Sequence, residues 1–429
     1  MEAPLSSGQK RWRINVFAAT WSSYAGLYFC RKNFGIVKAD VRDVLQVTDL
    51  EIAHIWTAYL AAYMCGQFLS AWLGKRIACR TLLLTGMAIS VGCNFVFGFN
   101  TLMGPAGYWP LVAFMVINGF AQATGWPGNI GVLASWFRRT ERGTVMGLWA
   151  TCYQVGSAMA KWFAALMFSV MGLAWSFWGA AVVLMGVWAL FYFLGHDKPE
   201  DVGLEAIVVD EDPPSDGDSS AGEASAPDDG WTPAVRKAVM VMGAAYFSFK
   251  FLRYAIESWA PMLLKESFDL PTDTAGYISS LFDVLGFSSV LMSGFVTDRF
   301  FGGRRAAVTF GLSVALVFAA IYLRVLGPTS VFHFGLALGF IGFALYGPDS
   351  LLSGVGAIDV GSRKTAVTAA GVINGLGSFG ALLQEELLGY LKTYHGPDAV
   401  FATLILVAAL GAVVCGVLWH WSRTGKTAF

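Results

Sequence analysis

Charge is what this chain has least of: 14% of its 429 residues are Asp, Glu, Lys or Arg, while 56% are hydrophobic, with 33 Phe and 16 Trp among them. A water-soluble domain of this length could not hide that much apolar surface, so soluble enzymes and binding modules are excluded and the sequence reads as a polytopic membrane protein. Cysteine is scarce too. The six (Cys30, Cys65, Cys79, Cys93, Cys152, Cys415) show no CxxC pair and no regular spacing, which argues against a disulfide framework or a zinc site and for small buried core residues. Five histidines lie at span ends or in loops, without metal-ligand spacing. The sequence contains no phosphate-cradling P-loop, so direct ATP coupling is disfavoured, and no acid, base and nucleophile fall at a spacing that reads as an active site. The expectation is therefore no enzyme, no metal, no cofactor and no nucleic-acid partner.

What the chain does have is long apolar runs. Segments sufficient for a spanning helix fall at 12–36, 52–74, 81–99, 109–134, 144–170 and 173–195, then at 236–264, 274–297, 305–325, 329–358, 365–392 and 398–422. The fold class expected is an all-α membrane protein of twelve transmembrane helices in two pseudo-symmetric six-helix bundles, 1–195 and 233–429. Between them, 196–232 is acidic and rich in Ser, Pro and Gly, a composition that cannot bury a core and reads as a flexible linker. Its first part, Asp197 to Leu204, has the look of a short ordered extension. The basic start runs straight into an apolar span, which reads as a first helix and not as a cleaved leader. Nineteen Lys and Arg fall on the side of the N-terminus and five (Lys38, Arg42, Lys265, Arg324, Lys392) on the other, so both termini and the linker are expected in the cytoplasm.

Five basic residues, Arg31, Lys32, Lys161, Lys250 and Arg253, fall inside spans, where a charge costs roughly 2.5 to 3.5 kcal/mol on the insertion scale. Two readings are open for Arg31 and Lys32: their heads snorkel to the membrane surface, or they face a water-filled cavity that binds an anion. A repeat favours the second. Tyr24 precedes Arg31 by seven residues, and adding 222 to both numbers gives Tyr246 and Arg253. Pro127 and Pro348, Arg142 and Arg363, Thr144 and Thr365, and Gly156 and Gly377 each keep an offset of 221. The chain is a tandem repeat with one intramembrane arginine per half.

Several motifs carry a resemblance: the Asp-Arg and Gly-Gly-Arg-Arg of the loop Gly294 to Arg305, Arg31-Lys32-Asn33-Phe34, Asn118 to Pro127, Glu141-Arg142-Gly143 with Trp149, Arg253-Tyr254 with Trp259 and Pro261, Tyr346-Gly347-Pro348, and Thr368 to Gly371. In order and across both halves, they resemble the major facilitator superfamily and, within it, the organophosphate:phosphate antiporters, which include glycerol-3-phosphate and hexose-phosphate transporters and animal sugar-phosphate exchangers. In the first-half loop, Gly74 stands where the family has an acid, so that clamp is weakened or supplied by another acid.

The resemblance implies that Arg31 and Arg253 grip the substrate phosphate, which suits the planar fork of a guanidinium. It also implies a cavity lined by Tyr24, Tyr28, Gln122, Trp126, Trp149 and Tyr346, with Tyr246 and Asn374 in the second half; packing is the competing reading for these side chains. Gln67 and Tyr153, beside Gln154, replace basic residues of the glycerol-3-phosphate transporters and lean toward a ligand with hydroxyls, such as a sugar phosphate. Asp283 matches a family acid and Glu257 sits one turn after Arg253; either is a candidate charge partner or coupling group, as is Lys32. Glu385, Glu386 and Lys161 have no assigned role, and the two glutamates are expected to snorkel or to pair locally. The function implied is exchange of an organic phosphate for inorganic phosphate by alternating access, in a monomer of a bacterial inner membrane. A proton-coupled symporter and a sugar-phosphate sensor are the alternatives.

Overall fold

The computed structural model describes residues 5–74, 76–138, 141–207, 232–301, 305–352 and 363–424. The side chains of Arg142, Thr144, Arg363, Thr365 and Thr368, the Gly302–Arg304 part of the loop motif and most of the acidic linker lie outside the described residues. Every regular element described is helical: α1 (Ser7–Leu45), α2 (Asp49–Leu73), α3 (Cys79–Asn100), α4 (Tyr108–Gln122), α5 (Gly125–Trp136), α6 (Arg142–Trp149), α7 (Cys152–Met171) and α8 (Leu173–Leu194), then α9 (Pro233–Phe268), α10 (Thr272–Ser279), α11 (Leu281–Phe300), α12 (Arg305–Val325), α13 (Val331–Ser350), α14 (Arg363–His395) and α15 (Pro397–Arg423).

Among the described residues, seven stretches are long and apolar enough to cross a membrane: α3, α8, α9, the α10–α11 run, α12 with its following turn, α13 and α15. The other five spans read from the sequence correspond to α1, α2, the pairs α4–α5 and α6–α7, and α14. Large apolar side chains stand outward on these helices, Phe68 at 75% and Trp109 at 74% exposure among them. In lipid that surface is satisfied, as are the backbone groups that helices bond internally. The protein is an integral multi-pass membrane protein.

Three expected spans are interrupted. The breaks fall at Ala123–Thr124, Ala150–Thr151 and Ser280. At each, a hydroxyl bonds the carbonyl three residues back: Thr124 to Ala121 at 2.8 Å, Thr151 to Leu148 at 2.7 Å and Ser280 to Tyr277 at 2.6 Å. This local bond competes with the i→i−4 ladder and tightens the turn. A fourth junction needs only one residue. Gly172 takes φ 89° between α7 and α8, a left-handed conformation in which glycine is not strained.

Contacts divide the chain into two units, residues 1–34 with 58–226, and 35–57 with 227–429. In the first, α3 packs on α4, α5 and α8, and α8 on α7. The linker entry is ordered against this unit: Pro199–Val202 forms a single 3₁₀ turn, Asp197 accepts the Arg80 backbone N–H at 2.7 Å, and Gln9 donates to the Glu205 carbonyl at 3.0 Å. The Arg80 guanidinium caps the end of α8 at the Gly195 and Tyr192 carbonyls, 2.7 and 2.5 Å away. In the second unit, α9 packs on α10, α13, α14 and α15, α11 on α13, and α12 on α13 and α15. It also holds the end of α1 and the start of α2.

The repeat glycines explain themselves at contacts. A Cβ on Gly156 would meet the Ala25 backbone at 2.8 Å, and one on Gly377 would meet the Tyr246 ring at 2.4 Å, so each half needs the absent side chain beside its repeated tyrosine. Of the cysteines, Cys30, Cys93, Cys152 and Cys415 are buried as expected, whereas Cys65 is exposed.

The largest departure concerns the basic residues assigned to external loops. Because α1 runs on to Leu45, Lys38 is helical and wholly buried. It pairs with Glu385 of α14, bonds Ser258 at 3.1 Å and lies 3.3 Å from the Trp259 ring centre. Glu385 thus pairs with a residue far away in sequence and does not reach the surface. Around this pair, Lys392 contacts Asp49 and Glu266 at 2.8 Å, Arg42 contacts the same two acids at 2.8 and 2.5 Å, Lys265 meets Asp40 at 2.5 Å, and His54 meets Glu386 at 2.9 Å.

Candidate functional site

In the first unit, Arg31 and Lys32 are both buried, each 8% exposed, so neither head snorkels. One Arg31 nitrogen donates to Gln122 Oε1 at 3.1 Å, and the guanidinium lies 5.1 and 4.7 Å from the rings of Tyr28 and Tyr63. Gln122 is fixed in turn by donating to the Leu27 carbonyl at 3.1 Å and to Ser90 at 2.8 Å; Ser90 donates to Asn118 at 2.7 Å, which donates to the Cys30 carbonyl at 3.3 Å. The support is a buried chain of neutral groups. Among the described residues Arg31 has no carboxylate partner, and its Nε is buried without a hydrogen bond. Lys32 lies 5.6 Å from the Tyr28 ring centre.

Beside it Tyr24, Trp126, Trp149 and Tyr153 form one aromatic group: Tyr24 is 6.1, 5.4 and 5.1 Å from the other three, and Trp126 is 5.7 Å from Tyr153. Tyr28 joins through Tyr24 at 5.8 Å. Trp149 is fully buried and Trp126 is 39% exposed, so Trp149 serves packing while Trp126 presents a free face. Two helix breaks lie here, each within three residues of a residue in this group. Gln67 and Gln154 are half-buried on α2 and α7. Lys161, further along α7, is buried at 2% exposure.

In the second unit the repeated arginine is held differently. Tyr246, Lys250, Arg253 and Glu257 lie on one stripe of α9, at spacings of four, three and four residues. Arg253 pairs with Glu257 and with Asp349, both at 3.3 Å, and lies 4.7 Å from the Tyr346 ring centre. The Tyr346 hydroxyl reaches Asp283 at 3.0 Å and Glu257 at 3.3 Å, which brings Asp283 into the group. Asp349 was missed in the sequence reading; it directly follows Tyr346-Gly347-Pro348, and an acid beside that motif was the signal. Lys250 donates to Asn374 at 2.6 Å and Ser378 at 3.2 Å, and Tyr246 is buried below it.

The two arginines therefore differ in kind. One is a buried cation among neutral dipoles, and the other is balanced by carboxylates at the same distance.

The model of the Major Facilitator Superfamily matches residues 20–384. The chain belongs to that superfamily. Over its whole length it is 27% identical to the "Glycerol-3-phosphate transporter" of Bacillus subtilis (strain 168), of which 96% is covered. It is 26% identical to the human "Sugar phosphate exchanger 3", covering 92% of this chain and 90% of the relative, and 26% identical to a "Probable hexose phosphate transport protein" of Chlamydia muridarum, covering 96% and 92%. These relatives are of the kind the resemblance named. Among solved structures, a bacterial homolog to the human lysosomal transporter Spinster superposes with a TM-score of 0.74 at 13% identity, over 97% of this chain and 99% of that one, which is agreement of fold.

Proposed function

We propose that this superfamily member is a secondary transporter that exchanges an organic phosphate for inorganic phosphate by alternating access, with Arg31 and Arg253 as its phosphate-binding arginines. A single observation carries the reading: Arg31 is a buried guanidinium held by Gln122 and tyrosine rings, with no carboxylate partner among the described residues. A buried charge without a counter-ion is costly, and an anion with several oxygens offsets that cost while satisfying the orphaned Nε. Arg253 fits the same role with a different balance. An arriving phosphate competes with Glu257 and Asp349 for its fork, so binding there is an exchange of one anion for another. The organophosphate names of the relatives support this substrate class. A sugar phosphate is preferred over glycerol-3-phosphate because Gln67, Tyr153 and Gln154 offer neutral hydrogen-bonding groups. The asymmetry of Lys and Arg supports cytoplasmic termini, the membrane is read as a bacterial inner membrane, and one chain supplies both arginines, so a monomer suffices.

The test is uptake of labelled glucose-6-phosphate and glycerol-3-phosphate into vesicles reconstituted with the protein. Phosphate-loaded vesicles are expected to accumulate ester without a pH gradient, and empty vesicles to take up little. One observation favours a second reading, proton-linked transport: the Tyr346 hydroxyl stands between two carboxylates, Asp283 at 3.0 Å and Glu257 at 3.3 Å, and its single proton cannot fully satisfy both. Strong uptake into empty vesicles driven by an imposed pH gradient would decide for that reading.

A further inference from the structure

Ser90 and Asn118 are buried polar side chains of the first unit, 0% and 1% exposed, and neither is bonded to Arg31. Each stands one helical turn before a second amide: Ser90 is four residues ahead of Asn94 on α3, and Asn118 is four ahead of Gln122 on α4. What the amides reach on α1 are main-chain carbonyls. Gln122 donates to the Leu27 carbonyl at 3.1 Å, Asn118 to the Cys30 carbonyl at 3.3 Å, and Asn94 to that same carbonyl at 3.5 Å. The turn of α1 that leads into Arg31 is thus held from α3 and α4.

These carbonyls also set which way every group in the chain faces. A carbonyl oxygen only accepts, so Cys30 takes the nitrogen of the Asn118 amide and turns its oxygen toward Ser90. That oxygen takes the one hydroxyl proton of Ser90 at 2.7 Å, in preference to the neighbouring Cys30 sulfur, a weak acceptor. The Ser90 oxygen is then left to accept, and it receives Gln122 Nε2 at 2.8 Å, while the other Nε2 hydrogen goes to Leu27. Both donors of Gln122 are used, and its oxygen remains for Arg31, at 3.1 Å. Reversing this amide would set its oxygen against the Leu27 carbonyl and its hydrogens against a guanidinium that has no acceptor.

We propose that Ser90 and Asn118 are positioning residues for phosphate capture: through Gln122 they fix Arg31 by one of its five N–H groups and leave the others, the orphaned Nε among them, to the anion. The inference rests on the phosphate-exchange reading above. Because the chain ends on a neutral acceptor, it orients the guanidinium without cancelling its charge. Carboxylates such as those beside Arg253 orient as well, but compete with the phosphate. Without the chain, the arginine must be ordered at the moment the anion binds, and that cost falls on affinity.

The experiment measures labelled phosphate exchange in reconstituted vesicles, with a matched control from the same unit. The Ser23 hydroxyl also meets an asparagine oxygen, Asn129 Oδ1 at 2.8 Å, with the Thr20 carbonyl as a further acceptor at 2.9 Å; it is as buried as Ser90 and lies off the chain to Arg31. Ser90→Ala is expected to raise KM for phosphate about five- to thirtyfold, within the range of one buried polar group left unsatisfied, while the maximal rate stays within threefold of wild type. Glycerol-3-phosphate as competitor is expected to weaken by the same factor, since it too is held through its phosphate. Ser23→Ala deletes the same kind of contact and is expected to leave KM within about twofold. Asn118→Leu removes the acceptor that aligns Ser90; it is expected to raise KM likewise, and it carries the test if Ser90→Ala does not accumulate. In the double variant the rise is expected to be no greater than the larger single effect, because both residues act through one chain. Equal KM shifts in Ser90→Ala and Ser23→Ala, a loss confined to the maximal rate, or additive effects in the double variant would overturn the positioning role. A wild-type protein without phosphate exchange fails the function itself, a result visible before any variant is made.

Discussion

At the scale of single residues, the repeated pattern Tyr-x6-Arg was readable from the sequence, but the environments of its two arginines were not. Spacing fixes which side chains share a helix face; it does not say whether the facing helix brings Gln122 or Asp349. Arg31→Lys and Arg253→Lys are each expected to remove most phosphate exchange although charge is kept, because an ammonium lacks the two-pronged donor geometry. The losses should differ in kind. At Arg253 a single ammonium must replace a fork that meets both Glu257 and Asp349, so the variant protein is expected to melt at lower temperature than Arg31→Lys; thermal unfolding in detergent measures this. Gln67→Ala and Tyr153→Phe should weaken glucose-6-phosphate about five- to a hundredfold more than inorganic phosphate, since a polar group left unsatisfied costs about 1 to 3 kcal/mol. Competition against labelled phosphate reads that difference, and equal loss for both anions would assign the two residues to packing.

Among elements, the apolar runs gave the helices and their order, because hydropathy over some twenty residues is a strong and local signal. The three breaks were invisible to it. A threonine or serine within an apolar run barely alters mean hydropathy, yet its hydroxyl takes the i−3 carbonyl at each break, a bond that also occurs inside unbroken helices, as at Ser288 and Ser313. The length of α1 was also hidden, since Lys38, Asp40, Arg42 and Asp43 read as a polar loop when their partners on α9 and α14 are unknown. The buried pair yields a direct test. Removing one partner, as in Glu385→Ala, leaves an unmatched buried charge and is expected to cost about 3 to 5 kcal/mol, whereas Lys38→Met with Glu385→Leu should recover most of that stability. Thermal unfolding of the single and double variants distinguishes the two outcomes.

For the molecule as a whole, the superfamily and the membrane class follow from composition, repeat and motif order, and the counter-anion and the direction of transport do not, since they depend on relative affinities that no spacing encodes. The charged network of the second unit adds a pH dependence. Burial alone would raise the Asp49 carboxyl, but the Lys392 ammonium and the Arg42 guanidinium hold it below its ordinary value. A depressed folded pKa contributes stability above the ordinary carboxylate range, and that stability is lost as pH falls through the range. Unfolding temperature should therefore drop between pH 6 and about pH 3 in the wild-type protein, and drop less in Asp49→Asn, measured as melting curves in detergent at fixed salt.

The Lys38–Glu385 pair also sets an order on how the protein is made. Its members lie 347 residues apart, so at roughly 5 to 20 residues per second the ammonium waits about 20 to 70 seconds for its carboxylate. Until α14 arrives, the end of α1 carries a lysine that hydrocarbon rejects, so it must be kept at a water-facing surface. The last turns of α1 are thus expected to take their buried place only once α14 has been delivered. A chain truncated ahead of Glu385 lacks the carboxylate that matches Lys38, so that helix end is expected to stay in water.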